Sequence, residues 1–334
     1  MGNKKERIAA NIPTYNRKQL LGECLDALLN QTYPLDAIYI IDNASTDGTP
    51  EFLLERGFIN VLLTPDKEPI KSVKAIPLPT FPDKTVEIHY VRMPENTGSA
   101  GGYYEGIKMG YKAGFDWLWL MDNDGEPRED ALEMLLKAIK SICYQEKKIG
   151  FLVSKVIWKD YKPHHMNLPQ ISSFAGTLPF NLFDASDLYL VKAASYTSAI
   201  ISRDAVAHVG YPIKEFVIWF DDIEYTSRIV SAGFLGVYVP KSICIHKTPE
   251  NYSANIYTDK VENLWRYNHE IRNRLFVIKS KSLLKFLGRL FDRLLVINLK
   301  LLVKRKQNKL SFIIANTRAT IAAIGFKPKI EKPC

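Results

Sequence analysis

The sequence lacks the features that would place it in several common classes of protein. Four cysteines occur in 334 residues, and their spacing fits neither a metal site nor a redox motif, so a reducing compartment is expected. There is no uncharged apolar run of about 18 residues, so a membrane-spanning helix is not predicted. The polar N-terminus leads straight into an apolar segment, and no signal peptide is expected. These absences favour a globular protein in the cytoplasm.

Two glycine-rich nucleotide-binding motifs are also missing. A dinucleotide-binding domain needs Gly-x-Gly-x-x-Gly after its first strand, but Pro13-Thr14-Tyr15-Asn16-Arg17 stands there. The glycines of residues 96–102 lack the Lys-Ser/Thr ending of a P-loop. Small residues at a helix start either let the backbone approach an anionic ligand or allow tight helix–strand packing, and both alternatives stay open.

The net charge of +9 is concentrated near the C-terminus. Residues 272–309 contain twelve Lys and Arg and one acidic residue, Asp292. In a helix over residues 281–304, six basic residues form a narrow stripe beside many leucines: Lys281, Lys285, Arg289, Arg293, Lys300 and Lys304. Such a helix is typical of the surface of an anionic bilayer, or it docks on its own domain. Nucleic-acid binding is not expected, because it leaves the apolar bulk of the helix unexplained.

Alternating apolar segments predict an α/β protein with a mostly parallel sheet flanked by helices. Strands are expected near residues 8–12, 37–41, 86–93, 117–121, 149–158 and 236–240. Helices are expected near residues 18–31, 50–56, 96–112, 129–146, 203–209 and 224–232. Residues 64–83 are interpreted as a surface loop, 159–187 as irregular and 188–202 as extended, with His164 and His165 an exposed pair.

One predicted strand ends in Asp122-Asn123-Asp124, and Gly125 and Pro127 are expected to stop it. Residues i and i+2 of a strand point the same way, so both carboxylates can face one ligand. Open α/β sheets bind ligands at the carboxyl ends of their strands. The two oxygens suit Mg²⁺ or Mn²⁺, although a polar turn is the simpler alternative.

A second acidic cluster and a lone histidine follow later in the chain. Asp221 and Asp222 come after Trp219 and precede a predicted helix that begins at Glu224. Helix capping accounts for one of these acids but not for two. His246 closes an apolar run, at an element end where its side chain could face the same site, although a lone histidine is more often structural.

In this order, the motifs resemble those of family 2 glycosyltransferases with the GT-A fold, over residues 8–247. The resemblance rests on residues 13–17, 42–47, 96–102, 122–124 and 219–224, and it is strongest to the rhamnosyl- and galactofuranosyltransferase branch. One departure is Phe220, which stands between Trp219 and the two acids.

The resemblance implies a role for each matched residue. Asp222 would be the catalytic base, and Trp219, Asp221 and Glu224 would serve the acceptor side or support it. Asp122, Asp124 and His246 would hold Mn²⁺ or Mg²⁺. The nucleotide-sugar donor would meet a further set: Thr14, Tyr15, Arg17, Asp42, Asn96, Gly98 and Asp122.

The implied enzyme moves a sugar, galactofuranose or rhamnose, from a UDP- or dTDP-sugar to a glycan hydroxyl with inversion. The acceptor is expected on a lipid carrier at the inner face of the cell membrane, in bacterial cell-surface polysaccharide synthesis. Residues 1–250 would form the GT-A domain, with a nucleotide-binding half (1–125) and an acceptor-binding half (126–250). Residues 251–334 would be the basic, membrane-associating helical region. A nucleotidyltransferase and a non-catalytic sugar-nucleotide-binding protein are the alternatives, and the oligomeric state stays open.

Overall fold

The computed structural model describes residues 6–64, 66–142, 147–171, 173–175 and 178–333. Its strands are β1 Ile8–Thr14, β2 Ala37–Asp42, β3 Ile70–Leu78, β4 Phe81–Arg92, β5 Trp117–Leu120, β6 Gly125–Pro127, β7 Ile149–Ile157, β8 Phe174–Ala175, β9 Leu178–Pro179, β10 Tyr189–Leu190, β11 Ala199–Ser202 and β12 Leu235–His246. Its helices are α1 Lys18–Leu29, α2 Thr49–Glu55, α3 Gly98–Lys112, α4 Ala131–Ser141, α5 Arg203–Val209, α6 Asp221–Ser231, α7 Leu264–Lys281, α8 Leu283–Phe291, α9 Asn298–Lys304 and α10 Lys309–Gly325, with π-helical residues Asp292–Ile297 between α8 and α9.

The main sheet has the strand order β10-β12-β7-β11-β5-β1-β2-β4-β3, and β6 pairs with β12. Strands β5, β1, β2 and β4 are parallel, as are β7 and β12. Strand β11 runs antiparallel between β5 and β7, and β3, β6 and β10 are also antiparallel to their neighbours. The sheet is therefore more mixed than the sequence predicts, because an apolar run shows burial but not strand direction.

The expected surface loop over residues 64–83 is wrong for most of its length. Strand β3 occupies part of it and forms an antiparallel hairpin with β4, which begins at Phe81. Partly buried and exposed residues alternate along β3, and Lys71 is on the exposed face. Lysine and proline are typical of an edge strand, where they discourage pairing with another chain, and here they conceal the strand pattern.

Smaller differences concern where elements begin and end. Residues Gly125–Pro127 do not merely end a strand but form β6, paired with β12. Helix α6 begins at Asp221, so both acids are in its first turn. Helix α4 is described to Ser141, and its expected end near residue 146 lies outside the described residues.

Helices cover both faces of the sheet. Leucines of α1, α2 and α4 pack on one face, and side chains of α3, α5 and α6 pack on the other. Trp119 of β5 belongs to the first core, whereas its neighbours Leu118 and Leu120 belong to the second. The continuous apolar run of β5 is thus explained by burial on both faces.

The C-terminal helices form a third core of their own. Ser282 separates α7 from α8, and its side chain accepts a hydrogen bond from the Lys285 amide. Residues 283–304 then continue as one helical stretch, and α10 packs on α7 and α9. Tyr267, Phe286 and Phe312 are buried between these helices. No helix in the described part of the chain is long and apolar enough to cross a membrane.

Candidate active site

A cavity of about 1070 Å³ lies at the carboxyl ends of β1 and β5. The turn after β5, the N-terminus of α3, the start of α6 and the end of β12 all contribute to it. The C-terminal helices close one side. Both acidic clusters that the sequence singled out therefore line one cavity, although about 100 residues separate them.

Asp122, Asp124 and His246 form a cluster with ligand atoms within 4.8 Å of one another. His246 Nε2 lies 3.1 Å from Asp124 Oδ1 and 3.8 Å from Asp122 Oδ2. The antiparallel pairing of β12 with β6 sets His246 opposite Gly125, which brings the histidine beside the two acids. Two carboxylates and one imidazole are a donor set that fits a divalent ion such as Mn²⁺.

Neighbouring side chains fix the orientation of this cluster. His246 Nδ1 lies 2.8 Å from Asn167 Oδ1, and an N–H donated there leaves Nε2 directed at the carboxylates. Tyr103 donates to Asp122 Oδ1 at 2.7 Å, and the Thr197 hydroxyl donates to the other oxygen of Asp122. Each of the three cluster side chains thus has a partner that holds it in place.

The prediction that His164 is exposed is wrong, although His165 is exposed as expected. The His164 ring is buried and lies 4.5 Å from the His246 ring, centroid to centroid. A hairpin that pairs Ile157 with Pro163 turns His164 back into the protein, where Nε2 lies 2.8 Å from Thr248 Oγ1. A turn of this kind leaves no periodic signal in the sequence.

The charged groups of the cluster shift one another's pKa values. Burial raises the pKa of Asp124, but the hydrogen bond with His246 and the charges of His246 and Arg17 outweigh it, so this pKa lies well below its usual range. Burial lowers the pKa of His246, yet Asp124 raises it by more. Asp124 is therefore ionised and ready to accept a cation.

The loop before Asp221 and Asp222 has an unusual backbone. Val217, Trp219 and Phe220 have φ values of 67°, 60° and 72°, in the left-handed region that costs energy for side chains of this size. The Ala100 amide donates to Val217 O at 3.1 Å, which ties the loop to α3. This conformation directs the chain so that both acids face the cavity.

Asp221 and Asp222 share a site of low polarity. Burial raises the pKa of Asp221 well above its usual range, and the charge of Asp222 adds to this effect. Burial also raises the pKa of Asp222, with a further contribution from Asp122. Because two like charges so close are unfavourable, the pair retains a proton more readily than isolated carboxyls do.

Most predicted donor-side residues line the cavity. Thr14 accepts a hydrogen bond from Asn123 at 2.9 Å, Arg17 pairs with Asp124, and Tyr15 is exposed at the rim. Asn96 accepts from the Gly98 amide at 2.9 Å. These residues come from the loop after β1 and the start of α3, which meet because their parent elements are neighbours.

The structure does not bring Asp42 to the cavity. Its side chain is fully buried and accepts hydrogen bonds from the Ser45 amide, the Tyr90 hydroxyl and the Arg92 guanidinium. The next residue, Asn43, lines the cavity instead. Asn43 is itself almost fully buried, and its amide bonds Thr97 and the Gly98 carbonyl at the start of α3. The sequence alone does not show which of the two adjacent residues reaches the cavity.

Glu224 also turns away from the cavity, whereas Trp219 lines it. Both Glu224 carboxylate oxygens bind Arg228, at 2.9 and 3.1 Å, and Arg228 also donates to the carbonyls of Val209 and Tyr211. This ion pair is largely buried. The supporting role is therefore the better of the two alternatives for Glu224.

Several lining residues carried no signal in the sequence. Asn167, Tyr196 and Thr197 come from segments read as irregular or merely extended. Four arginines, Arg266, Arg274, Arg289 and Arg293, reach the cavity from the C-terminal helices. Arg266 and Arg274 are about two helical turns apart, and this spacing could have indicated that they lie on one face of a helix. Two arginines of the basic stripe also line the cavity: Arg293, and Arg289 at its exposed rim.

Comparisons with known proteins agree with this geometry. The chain matches the model of "Glycosyl transferase family 2" over residues 10–74 and 66–210, more than half of its length. Galactofuranosyltransferase GlfT1 of Mycolicibacterium smegmatis is 25% identical over 237 residues, which is 68% of this chain and 67% of that protein. GlfT1 of Mycobacterium tuberculosis is 22% identical over 231 residues, which is 68% of this chain and 66% of that protein. Among solved structures, GalNAc-T7 with UDP, GalNAc and Mn²⁺ has a TM-score of 0.56 at 14% identity, covering 94% of this chain and 55% of that one.

The chain thus spans about two thirds of these galactofuranosyltransferases and about half of the GalNAc-T7 chain. The structural likeness confirms the predicted GT-A fold. The chain belongs to glycosyl transferase family 2, in its galactofuranosyltransferase-like branch, and is a glycosyltransferase.

Proposed function

We propose that this glycosyltransferase transfers galactofuranose from UDP-galactofuranose to a hydroxyl of a glycan acceptor, with inversion and with help from a divalent metal. The galactofuranosyltransferase relatives support the choice of sugar. The observation that carries the proposal is that Asp122, Asp124 and His246 line the same cavity as Asp222. A reaction of this kind needs a cation for the departing diphosphate and a base for the incoming hydroxyl.

Asp122, Asp124 and His246 would hold Mn²⁺ or Mg²⁺. When bound, the ion supplies Lewis-acid stabilisation of the charge that develops on the diphosphate. Asn167, Tyr103 and Thr197 keep the three ligands oriented through their hydrogen bonds. The Mn²⁺ in the GalNAc-T7 structure supports this assignment.

The donor nucleoside would lie along the loop after β1 and the start of α3. Thr14, Tyr15, Arg17, Asn96 and Gly98 line that part of the cavity. Asn43 would take the place expected for Asp42, because it lines the cavity while Asp42 is engaged in the interior. Because its amide bonds Thr97 and the Gly98 carbonyl, Asn43 would act mainly by holding the start of α3 beside the nucleoside.

Asp222 would act as the base. Its carboxylate takes the proton of the acceptor hydroxyl while the oxygen bonds to the anomeric carbon and the bond to the diphosphate breaks. Burial raises the pKa of Asp222, which strengthens it as a base. Asp221 would remain protonated beside it and reduce the repulsion between the two groups.

We also propose that residues 251–334 associate with an anionic membrane beside the transferase domain of residues 1–250, where a lipid-linked acceptor would be available. Exposed Lys281, Lys285, Lys300 and Lys304 support this proposal. So does an exposed apolar face of the C-terminal helices, formed by Leu283, Leu284, Leu287, Phe291, Leu295, Leu299 and Leu302. Apolar contact and lysines together favour an anionic bilayer surface.

The proposal is tested by measuring UDP release from UDP-galactofuranose with a glycan acceptor, in Mn²⁺ or in EDTA. We expect release with Mn²⁺ and little in EDTA. Asp222→Asn should lower kcat by about 100-fold or more, because the amide cannot accept the proton, while UDP affinity stays close to that of the wild type. Asp184→Asn, at an exposed aspartate outside the cavity, is the matched control and should change neither quantity.

Other outcomes would point elsewhere. Release of pyrophosphate in place of UDP would identify a nucleotidyltransferase. Tight donor binding with no turnover on any acceptor would favour a non-catalytic sugar-nucleotide-binding protein. Equal losses of UDP binding and transfer in Asp222→Asn would remove Asp222 from the role of base.

A further inference from the structure

The cavity becomes basic where it passes under the C-terminal helices. Arg266 and Arg274 of α7 lie on one side, and Arg289 and Arg293 reach it from the helical stretch of residues 283–304. Glu270 and Asp292 are the carboxylates from these helices that also line the cavity. Four arginines against two carboxylates leave a surplus of positive charge at this end.

Arg266 interacts with the Tyr252 hydroxyl and with aromatic rings, but it has no carboxylate partner in the described part of the chain. Its guanidinium lies over the rings of Trp219 and Trp265, 5.6 and 5.5 Å from their centroids. Its Nε is buried and has no hydrogen-bond partner among the residues that the structure describes. A buried guanidinium N–H that has no hydrogen-bond acceptor costs energy, so such a donor usually indicates that an acceptor is missing.

The other three arginines are held close to the same space. Arg274 bonds Glu270 at 2.6 Å and lies over the Phe220 ring. Arg289 lies 3.3 Å from Asp292, at the exposed rim. Arg293 is partly buried and donates to Asn316 at 3.0 Å. Carboxylates therefore pair directly with Arg274 and Arg289. The charges of Glu270 and Asp292 also act on Arg293 but form no ion pair with it, and Arg266 has no carboxylate partner in the described chain.

We propose that Arg266, Arg274, Arg289 and Arg293 bind a phosphate or diphosphate ester carried by the acceptor, an inference that rests on the proposed glycosyl transfer. Guanidinium groups match phosphate oxygens in geometry and bind them through paired hydrogen bonds. The donor diphosphate has its own place at Asp122, Asp124 and His246, on strand and turn elements distinct from α7 and α8. A second anion therefore fits the part of the cavity that the four arginines line.

The position of the arginines explains what the anion would do. Arg266 contacts Trp219 and Arg274 contacts Phe220, the two residues directly before Asp221. An acceptor held by its phosphate at these arginines would have its sugar in the cavity that Asp222 also lines. Fixing the acceptor at one end reduces the freedom that is lost when its hydroxyl reaches the reacting carbon.

The test is calorimetric titration of the full chain with geranyl diphosphate in EDTA, where no divalent ion can hold the probe at the acidic cluster. Uncharged geraniol is the matched ligand. Arg266→Ala and Arg289→Ala should each weaken geranyl diphosphate binding by about tenfold or more, because each removes charge-assisted hydrogen bonds. Arg289 is largely exposed, so its variant tests the site even if Arg266→Ala does not fold. Arg318→Ala, at an exposed arginine of α10 outside the cavity, should bind as the wild type does.

Four results would overturn the inference. Equal affinity for geraniol would mean that the cavity binds only the apolar chain, and unchanged affinity in both arginine variants would place the anion elsewhere. An equal loss of UDP affinity in Mn²⁺ would assign the arginines to the donor. Loss of binding to phosphatidylglycerol vesicles with unchanged geranyl diphosphate affinity would make this a membrane headgroup site. If geranyl diphosphate binds as expected but UDP-galactofuranose is never consumed, the proposed function fails while the anion site stands.

Discussion

Gly98 lies where the first turn of α3 meets the loop before Asp221. Its φ of +75° favours glycine, and a Cβ there would lie 2.1 Å from Val217 O. The Gly102 and Gly106 positions differ, because a Cβ there would meet Pro13 and Asn11 of β1. The glycines of this helix therefore have two roles: Gly98 lets the loop before Asp221 approach α3, and Gly102 and Gly106 let the helix pack on β1.

Gly98→Ala should lower the free energy of unfolding by about 1–3 kcal/mol, because the added Cβ meets a backbone carbonyl and the backbone angle is unfavourable for alanine. The measurement is thermal or urea unfolding. Gly288→Ala is the control: nothing lies within 4 Å of its added Cβ, and alanine in a helix should stabilise by about 0.5–1 kcal/mol. Similar melting temperatures for the two variants would mean that α3 can move away from the Val217 carbonyl without loss of stability.

Asn167 was not foreseen, yet it is the residue that orients His246. Asn167→Ala should weaken Mn²⁺ binding by about 10–100-fold, because the imidazole loses the partner that fixes its Nε2. Free Mn²⁺ can be measured by electron paramagnetic resonance. Asn181→Ala, at an exposed asparagine, is the control. Unchanged affinity would indicate that packing against His164 orients the ring instead.

At the scale of elements, both α3 and α7 hold the loop of residues 216–220 that leads into Asp221. Asn273 is fully buried, and its Nδ2 lies 3.0 Å from both Phe216 O and Trp219 O, and 3.4 Å from Ile218 O. Hydrogen bonds from the Ala100 amide and from Asn273 thus hold the strained backbone of this loop in place. A C-terminal helix is consequently part of what positions Asp222.

Asn273→Ala should lower kcat while leaving UDP affinity unchanged, because the loop carbonyls lose their donor and the acids lose their fixed orientation. Stability should fall by about 1–3 kcal/mol because the Ile218 and Trp219 carbonyls lose this donor, whereas the Phe216 carbonyl keeps the Ile218 amide. Steady-state kinetics and UDP titration separate the two effects. Asn268→Ala, at an exposed position of the same helix, should behave as the wild type. A rise in KM for the donor with unchanged kcat would contradict this positioning role.

At the scale of the whole molecule, the C-terminal helices dock on the domain, and their association with a membrane is a proposal that needs its own test. Tyr267 of α7 packs against Trp219 of the domain, Phe286 and Phe312 are buried between the helices, and the helices still expose a row of leucines. Removing the chain after Lys281 would uncover this core and open the cavity. Substitution on the exposed face is therefore a cleaner test of membrane binding than truncation.

The double variant Leu284→Lys with Leu287→Lys should greatly reduce sedimentation with phosphatidylglycerol vesicles while its melting temperature stays unchanged. The two side chains are 80% and 52% exposed, so little packing is lost, but charge replaces the apolar contact with the bilayer. Leu54→Lys, at an exposed leucine of α2, is the control. Undiminished sedimentation would mean that this face is not the one that binds vesicles.

Much of the fold and part of the site could be predicted from the sequence. The apolar run of β5 and the acids after it predicted a strand end with two carboxylates, and that is where Asp122 and Asp124 lie. Order and spacing of the five motifs predicted the family and the GT-A fold. These features depend on neighbours in sequence, and local periodicity reports them directly.

Tertiary structure alone decided which side chains share the cavity. Strand pairing places His246 beside Asp124. Interior hydrogen bonds keep Asp42 out of the cavity, which Asn43 lines, and helix packing brings Arg293 to the cavity. Each outcome depends on contacts between residues far apart in the chain. The sequence by itself determined the chemistry available, as carboxylates, histidine and arginines. Long-range packing determined which of them meet, because periodicity records burial along one element but not the partner that buries it.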